Sequence, residues 1–140
     1  MHYLLDTNTW IHYLKRPGSP VEARLRRTPV SDVAVCSIVW AELLHGARKY
    51  EKRDARVERI ERTLGPFQSL PFDDDAARQY AEIRDSLETR GEIIGPNDLL
   101  IAAIARTHNL TLVSNNNREF NRVQGLNIED WTVDAQGSGA

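Results

Sequence analysis

The chain reads as a single α/β domain with a mainly parallel central sheet covered by helices on both faces. Three observations carry that expectation. Short apolar runs at Tyr3 to Leu5, Val33 to Cys36 and Thr111 to Val113 have the length and aliphatic content of strands buried on both sides. Between them lie longer segments whose apolar residues recur at spacings of three and four, the period of a helix that buries one face. A length of 140 residues suits one hydrophobic core, and no repeat, linker or shift in composition marks off a second. In a sheet of this kind, functional groups are expected at the carboxyl ends of the strands.

The elements follow in order. Tyr3 to Leu5 stops at Asp6-Thr7-Asn8, and Trp10, Ile11 and Leu14 then recur at helical spacing, which predicts strand, cap and helix. Lys15-Arg16-Pro17-Gly18 ends that helix, and Val21 to Arg27 predicts a second, short and very basic one. Val33 to Cys36 is the second strand, and Ser37 is expected to cap a helix carrying Ile38, Val39, Ala41, Leu43 and Leu44, with Glu42 inside it. Arg48 to Leu64 is rich in charge, and Val57, Ile60 and Leu64 mark a surface helix that Gly65-Pro66 breaks. Phe67 to Phe72 holds a short strand. Asp73-Asp74-Asp75 is first of all a helix N-terminus, opening a helix with Ala76, Ala77, Tyr80, Ile83 and Leu87 inward that closes at Gly91. Leu99 to Ala105 is apolar all round, so it predicts a central buried helix with Asp98 at its start. Thr111 to Val113 is the next strand; Asn115-Asn116-Asn117 then suits a turn, and Asn127 to Thr132 the last strand. The domain is expected to span 1–132, with 133–140 a disordered tail.

Bulk composition excludes several classes. Hydrophobic residues at 41% and charged residues at 27% are those of a globular protein, and a formal charge of -2 gives no overall attraction to polyanions, so any nucleic-acid contact must come from a local patch. The sole cysteine, Cys36, has no partner for a disulfide, lies in an apolar run and reads as a small core residue. No stretch reaches the length of a membrane span, and no basic leader precedes the first strand, so a soluble, cytoplasmic protein is expected.

Three carboxylates occupy positions where an acid is either structural or active. Asp6 ends the first strand and could simply cap the helix after it. Asp98 has the same alternative, with Asn97 a competing cap. Glu42, between Ala41 and Leu43, carries a desolvation cost unless a cation or donor meets it; His45, one turn on, could pair with it or be an ordinary partly buried histidine. Because strand ends share one edge of a parallel sheet, Asp6, Asp98 and the asparagines after Val113 can converge there, with Glu42 reaching in from its helix. Clustered carboxylates repel, and a hard divalent cation held by oxygens is the usual remedy. Mg²⁺ or Mn²⁺ fits; no Cys/His spacing for zinc is present. Such a site suits phosphodiester hydrolysis, which needs neither a nucleophilic triad nor a glycine-rich phosphate loop.

The segments "LLDTNTWI", "SIVWAELLHGA", "GPNDLLIAAIA" and "LVSNNNREFNRVQGLNIEDW" resemble, in order and spacing, the successive motifs of PIN-domain ribonucleases, most closely the VapC-type toxins of toxin–antitoxin systems. The resemblance covers nearly the whole chain. It implies a PIN-like α/β/α sandwich and a Mg²⁺-dependent endoribonuclease (Mn²⁺ substituting) that cuts structured RNA, tRNA or rRNA, to leave a 5′-phosphate and a 3′-hydroxyl. It also implies a homodimer and a VapB-like antitoxin whose tail occupies the active-site groove. Asp6, Glu42 and Asp98 match the family's three acids, Asp6 and Asp98 as principal metal ligands with Glu42 beside them. In the fourth motif Ser114 stands for a Thr and Asn116 for an Asp, while Glu119 matches an acid of those relatives that also carry asparagines there. With a neutral amide in place of a carboxylate, one tightly held ion is expected. Thr7 and Asn8 match small polar residues that orient the first acid, contact phosphate or cap the helix; Ser37 caps its helix and can also bond to a site carboxylate.

Positive charge is local. Lys15, Arg16, Arg24, Arg26 and Arg27 have few acids among them and are the better candidates for gripping RNA backbone. The run from Arg48 to Arg62 is interspersed with Glu51, Asp54, Glu58 and Glu61 and suits a solvated helix face. Two other readings compete with the nuclease. A non-catalytic RNA- or protein-binding PIN-like module is motivated by the missing fourth aspartate. A haloacid-dehalogenase-like phosphatase would need an Asp where Asn8 stands.

Overall fold

A computed structural model describes residues 1–133. Five strands form one sheet: β1 (Tyr3–Leu5), β2 (Val33–Cys36), β3 (Gln68–Leu70), β4 (Thr111–Val113) and β5 (Ile128–Glu129), in the spatial order β3-β2-β1-β4-β5 with every pairing parallel. The helices are α1 (Thr7–Lys15), α2 (Pro20–Arg27), α3 (Ser37–Ala47), α4 (Arg53–Leu64), α5 (Asp74–Thr89), α6 (Pro96–Thr107) and the single turn α7 (Asn117–Phe120). β1 is the central strand. The chain first builds outward from it through β2 to β3, then returns to its other side for β4 and β5, so the order of strands reverses between β1 and β4. In an open parallel sheet the crevice outside that reversal is where ligands bind.

Burial explains why these residues form these elements. All four residues of β2 are buried, as are Leu4, Leu5, Leu112 and Val113, because helices cover both faces and leave no polar face to alternate. In α6, Leu99 and every residue from Ile101 to Ala105 are buried, and the small alanines let α5 pack against it through Ala76, Ile83 and Leu87. This is the all-round apolar helix that the sequence predicts. Trp10 is fully buried at the start of α1, edge-on to Tyr13 and tilted against Phe67. Cys36 is buried too, and loss of hydration pushes its thiol up to about 11.

Several expectations are corrected. Ser37 is the first residue of α3 and not its cap; Cys36 takes the cap position without a side-chain bond, and Ser37 is exposed. The helix expected from Arg48 begins at Arg53, because Lys52 adopts a left-handed backbone (φ 60°) and the five residues before Arg53 offer no apolar stripe to bury. Ala77 points outward, since the buried stripe of α5 runs through Ala76, Ile83 and Leu87. The last strand is only Ile128–Glu129, and Asn117 opens the turn of helix α7 that composition alone reads as a plain turn. Apart from Val133, the expected tail lies outside the described residues.

The basic α2 is also not free to grip RNA through Arg24. Its guanidinium donates to the Tyr3 hydroxyl at 3.2 Å and to Glu129 at 3.3 Å, and stacks on the Tyr3 and Trp131 rings. It pins α2 to the far end of the sheet. Arg26 pairs with Glu22 at 2.7 Å.

Two consequences of this packing are measurable. Ile101→Ala, at a fully buried position of α6, is expected to lower unfolding free energy by about 2–5 kcal/mol, read from the urea midpoint; a change below the scatter of surface variants would mean that α6 is not the core. Cys36 is expected to resist alkylation by iodoacetamide in the native protein and to react once urea unfolds it, as mass spectrometry would register.

Candidate active site

The parallel register places Leu5 beside Val113, so the first residue past each strand, Asp6 and Ser114, emerges at the same point of the sheet edge. The Asp6 amide donates to the Val113 carbonyl at 3.0 Å, and the Ser114 amide to Glu129 at 2.9 Å, continuing the ladder beyond the strands. Asp6 then caps α1: one carboxylate oxygen accepts from the Thr9 amide at 2.9 Å. Thr9 also donates its hydroxyl to the Val113 carbonyl at 3.1 Å, tying the helix to β4. Capping and site geometry are therefore not alternatives for Asp6. Ser114 is a further side-chain donor to this carboxylate, and the whole residue is 3% exposed. Burial raises its pKa above the ordinary carboxylate range; the bonds from Ser114 and Thr9 oppose that rise, and the charge of Glu42 adds to it.

Glu42 stands on α3 at the mouth of the same cleft. Its desolvation is answered by neutral donors: the Thr7 hydroxyl at 2.5 Å on Oε1 and the Asn97 side-chain amide at 3.2 Å on Oε2. His45 is exposed, and among the described residues no ion pair joins it to Glu42. Thr7 thus holds the second acid and not the first, while Asn8 is exposed on the cleft wall. Among the described residues, no hydrogen bond joins Ser37 to a site carboxylate.

Asp98 lies in the first turn of α6, where Gly95 is the cap and Pro96 the first helical residue, so neither Asn97 nor Asp98 has to cap the helix. It is half-buried and bonded to Glu119. Asp98 is pushed up to about 7 by loss of hydration first, then by the bond to Glu119 and by the charges of Glu119, Asp6 and Glu42. Glu119 is held below its ordinary value, chiefly by the Asn116 amide and also by the Gly95 backbone N–H at 3.1 Å.

Asn116 joins the pair. Its amide nitrogen donates to Glu119 at 2.6 Å and to Asp98 at 3.3 Å, and its own backbone N–H donates to the Ser114 hydroxyl at 2.9 Å in a tight Ser turn. Its side chain therefore faces the acids as a donor. Asn115 and Asn117 are exposed and complete the turn.

Asp6, Glu42 and Asp98 line a cleft of about 330 Å³ together with Thr7, Asn8, His45, Lys49 and Asn97. Thr9 and Asn97 are the participants that the sequence reading overlooked. Their signals were present: a Thr three residues after a capping Asp, and an amide one residue before a helix-mouth acid. Among the described residues no three acid, histidine or cysteine side chains close into a ready cage, and none of the four acids has a Lys or Arg within ion-pair distance. Oxygen donors, uncompensated like charge and an open mouth fit an ion such as Mg²⁺, which keeps several waters and needs only one or two carboxylates. They do not fit zinc.

Comparison with known proteins agrees with this geometry. The PIN domain family matches residues 3–126. The chain is 37% identical over 132 residues to "Ribonuclease VapC2" of Rickettsia felis, covering 94% of this chain and 98% of the relative. It is 34% identical to "tRNA(fMet)-specific endonuclease VapC" of Shigella flexneri, covering 94% and 99%. Among solved structures, the DNA-bound VapBC of Salmonella typhimurium superposes with a TM-score of 0.89 at 34% identity, covering 94% of this chain and 98% of that one.

The donor role of Asn116 has a distinguishing test. Asn116→Asp sets a third carboxylate against Asp98 and Glu119 and removes the amide that bridges them. In chelator its stability is expected to fall by about 1–3 kcal/mol, and millimolar Mg²⁺ should raise its thermal midpoint by more than it raises the parent's. Equal responses to Mg²⁺ would show that Asn116 does not face the ion.

Proposed function

The chain belongs to the PIN-domain family, in its VapC branch, and on that premise we propose that it is a metal-dependent endoribonuclease, the toxin of a VapBC-type toxin–antitoxin pair. The observation that carries this reading is an open cleft in which Asp6, Glu42 and Asp98 face one another without a cationic partner. Asp6 and Asp98 would hold the ion, with Glu42 as a further oxygen donor. Mg²⁺ is the ion we assign, with Mn²⁺ able to replace it, because every donor is an oxygen. When bound, the ion supplies an acidified water and positive charge opposite the phosphoryl oxygens.

The chain's own residues hold that arrangement in place. Ser114 and the Thr9 amide fix Asp6, Thr7 and Asn97 each take one oxygen of Glu42, and Asn116 keeps Glu119 against Asp98. Asn8, exposed on the cleft wall, is a donor available to a phosphate oxygen. Attack of water on phosphorus with departure of the 3′ oxygen gives a 5′-phosphate and a 3′-hydroxyl.

The substrate we assign is a structured RNA, tRNA or rRNA, supported by the tRNA-directed name of the Shigella flexneri relative. A VapB-like antitoxin is the partner. An apolar trough beside the cleft supports it, floored by Ile11, Leu14, Leu43, Ala47 and Ile60 and rimmed by Arg56. The homodimer is supported by Ile93, 69% exposed next to a hollow lined by Ile94, Pro96 and Leu99. Among the described residues no helix is long and apolar enough to cross a membrane, and a cytoplasmic site of action accords with an RNA target and one unpaired cysteine.

The purified protein is expected to cut unfractionated tRNA or ribosomal RNA with Mg²⁺ or Mn²⁺ and not in chelator. Asp98→Asn should lower the rate by at least about 100-fold with the far-UV circular dichroism unchanged. Cleavage that persists in chelator would overturn the reading, and tight, chelator-insensitive RNA binding without turnover would favour a binding module in its place.

A further inference from the structure

An acidic cleft must still admit a polyanion. Before an ion binds, the charges of Asp6, Glu42 and Asp98 oppose each phosphate that approaches, and the chain's formal charge of -2 gives no compensating field. Something local has to draw the strand in. The first basic cluster does not line this cleft: Arg24 and Arg27 line a separate hollow with Glu129, Asp130 and Trp131.

The residues that do line it include two potential cations, His45 in the last turn of α3 and Lys49 in the turn that follows the helix. Both are exposed, and among the described residues neither side chain has a hydrogen-bond or ion-pair partner. Most arginines of the neighbouring helix are engaged: Arg59 with the Leu14 carbonyl, Arg62 with Glu58 and Arg56 with the Tyr50 ring. Helix geometry aligns His45 with the acid, since a residue three positions after Glu42 lies within about 60° of its direction and about 4.5 Å along the axis. Lys49 follows in the turn after α3, its backbone N–H donating to the Gly46 carbonyl at 3.3 Å. The cleft wall thus carries an acid at the site of chemistry and then two donors leading out of it.

We infer that His45 and Lys49 are the substrate-binding arm of the cleft, gripping the RNA phosphates that flank the scissile one. The inference builds on the nuclease reading and adds the direction in which the strand leaves the acids, past the carboxyl end of α3. Lys49 supplies a point charge on a flexible stem, and His45 a ring N–H nearer the acids. Neither touches Asp6 or Asp98, so their loss weakens capture of RNA and leaves the chemistry alone.

Initial rates on unfractionated tRNA with Mg²⁺ test this. Lys49→Ala is expected to raise KM about fivefold with kcat within a factor of about two, and to make the fall of log(kcat/KM) with log salt shallower by about 0.7–0.9. His45→Ala should raise KM by a smaller factor, and Lys49→Arg should restore the parent's value. Arg48→Ala removes the same charge one residue away, in a different hollow, and should leave KM unchanged. An unchanged KM and salt slope in Lys49→Ala would overturn the inference, as would an equal rise in Arg48→Ala, which would make the effect one of net charge. A parent that fails to cut any RNA would instead remove the nuclease reading beneath it.

Discussion

The parallel pairing that sets Leu5 against Val113 brings two remote chain segments out of the sheet side by side, and the site is built on that juxtaposition. The Val113 carbonyl accepts both the Asp6 amide and the Thr9 hydroxyl, so strand order, helix orientation and the position of the first acid are set by one backbone group. A shift of one residue in this register would turn Asp6 from the cleft toward a buried helix. The reversal of strand order at the same place keeps the edge free of crossing connections and leaves the crevice open.

Within that frame the acids are tolerated because neutral donors, not cations, meet them. Hydroxyls and amides satisfy carboxylate oxygens without cancelling their charge: Thr7 and Asn97 at Glu42, Thr9 and Ser114 at Asp6, Asn116 and the Gly95 amide at Glu119. An arginine at any of these places would form a self-contained salt bridge and remove the reason to bind an ion. The residual repulsion is visible in Asp98, whose carboxyl is raised to about 7 with the other acids among the causes. A fold that keeps like charges close and uncompensated is held ready for a divalent cation.

Charge is also sorted around the cleft. Acids occupy the carboxyl edge of the sheet, His45 at the end of α3 and Lys49 in the turn after it extend the cleft wall, and the trough between α1, α3 and α4 adds an apolar floor under a basic rim. Arg24, in contrast, is consumed in holding α2 to Tyr3, Glu129 and Trp131. Basic residues of similar appearance in the sequence therefore do opposite things: one group secures the fold while the other faces open solvent beside the acids.

The sequence by itself determined the α/β class, nearly every element, the buried character of β2 and α6, and the three candidate acids, because each follows from local periodicity, from an acid at a strand or helix end as with Asp6 and Asp98, or from an acid set among apolar residues of a helix as with Glu42. It left open whether Asp6 caps a helix or faces a cleft, and in the structure its carboxylate accepts from the Thr9 amide while the residue lines the cleft. What only the tertiary structure decided were the partners across the chain. Thr7 serves Glu42 35 residues away, Asn97 reaches it across 55, and Asn116 turns its amide, not its oxygen, to Asp98 and Glu119. Ser37 was misread because a Ser after a strand looks like a cap, whereas Cys36, still extended at the end of β2, takes the cap position and the helix already begins at Ser37. Local pattern follows from the chemistry of neighbouring residues, but which donor meets which acid depends on strand order and register, and those are fixed only when the whole sheet is assembled.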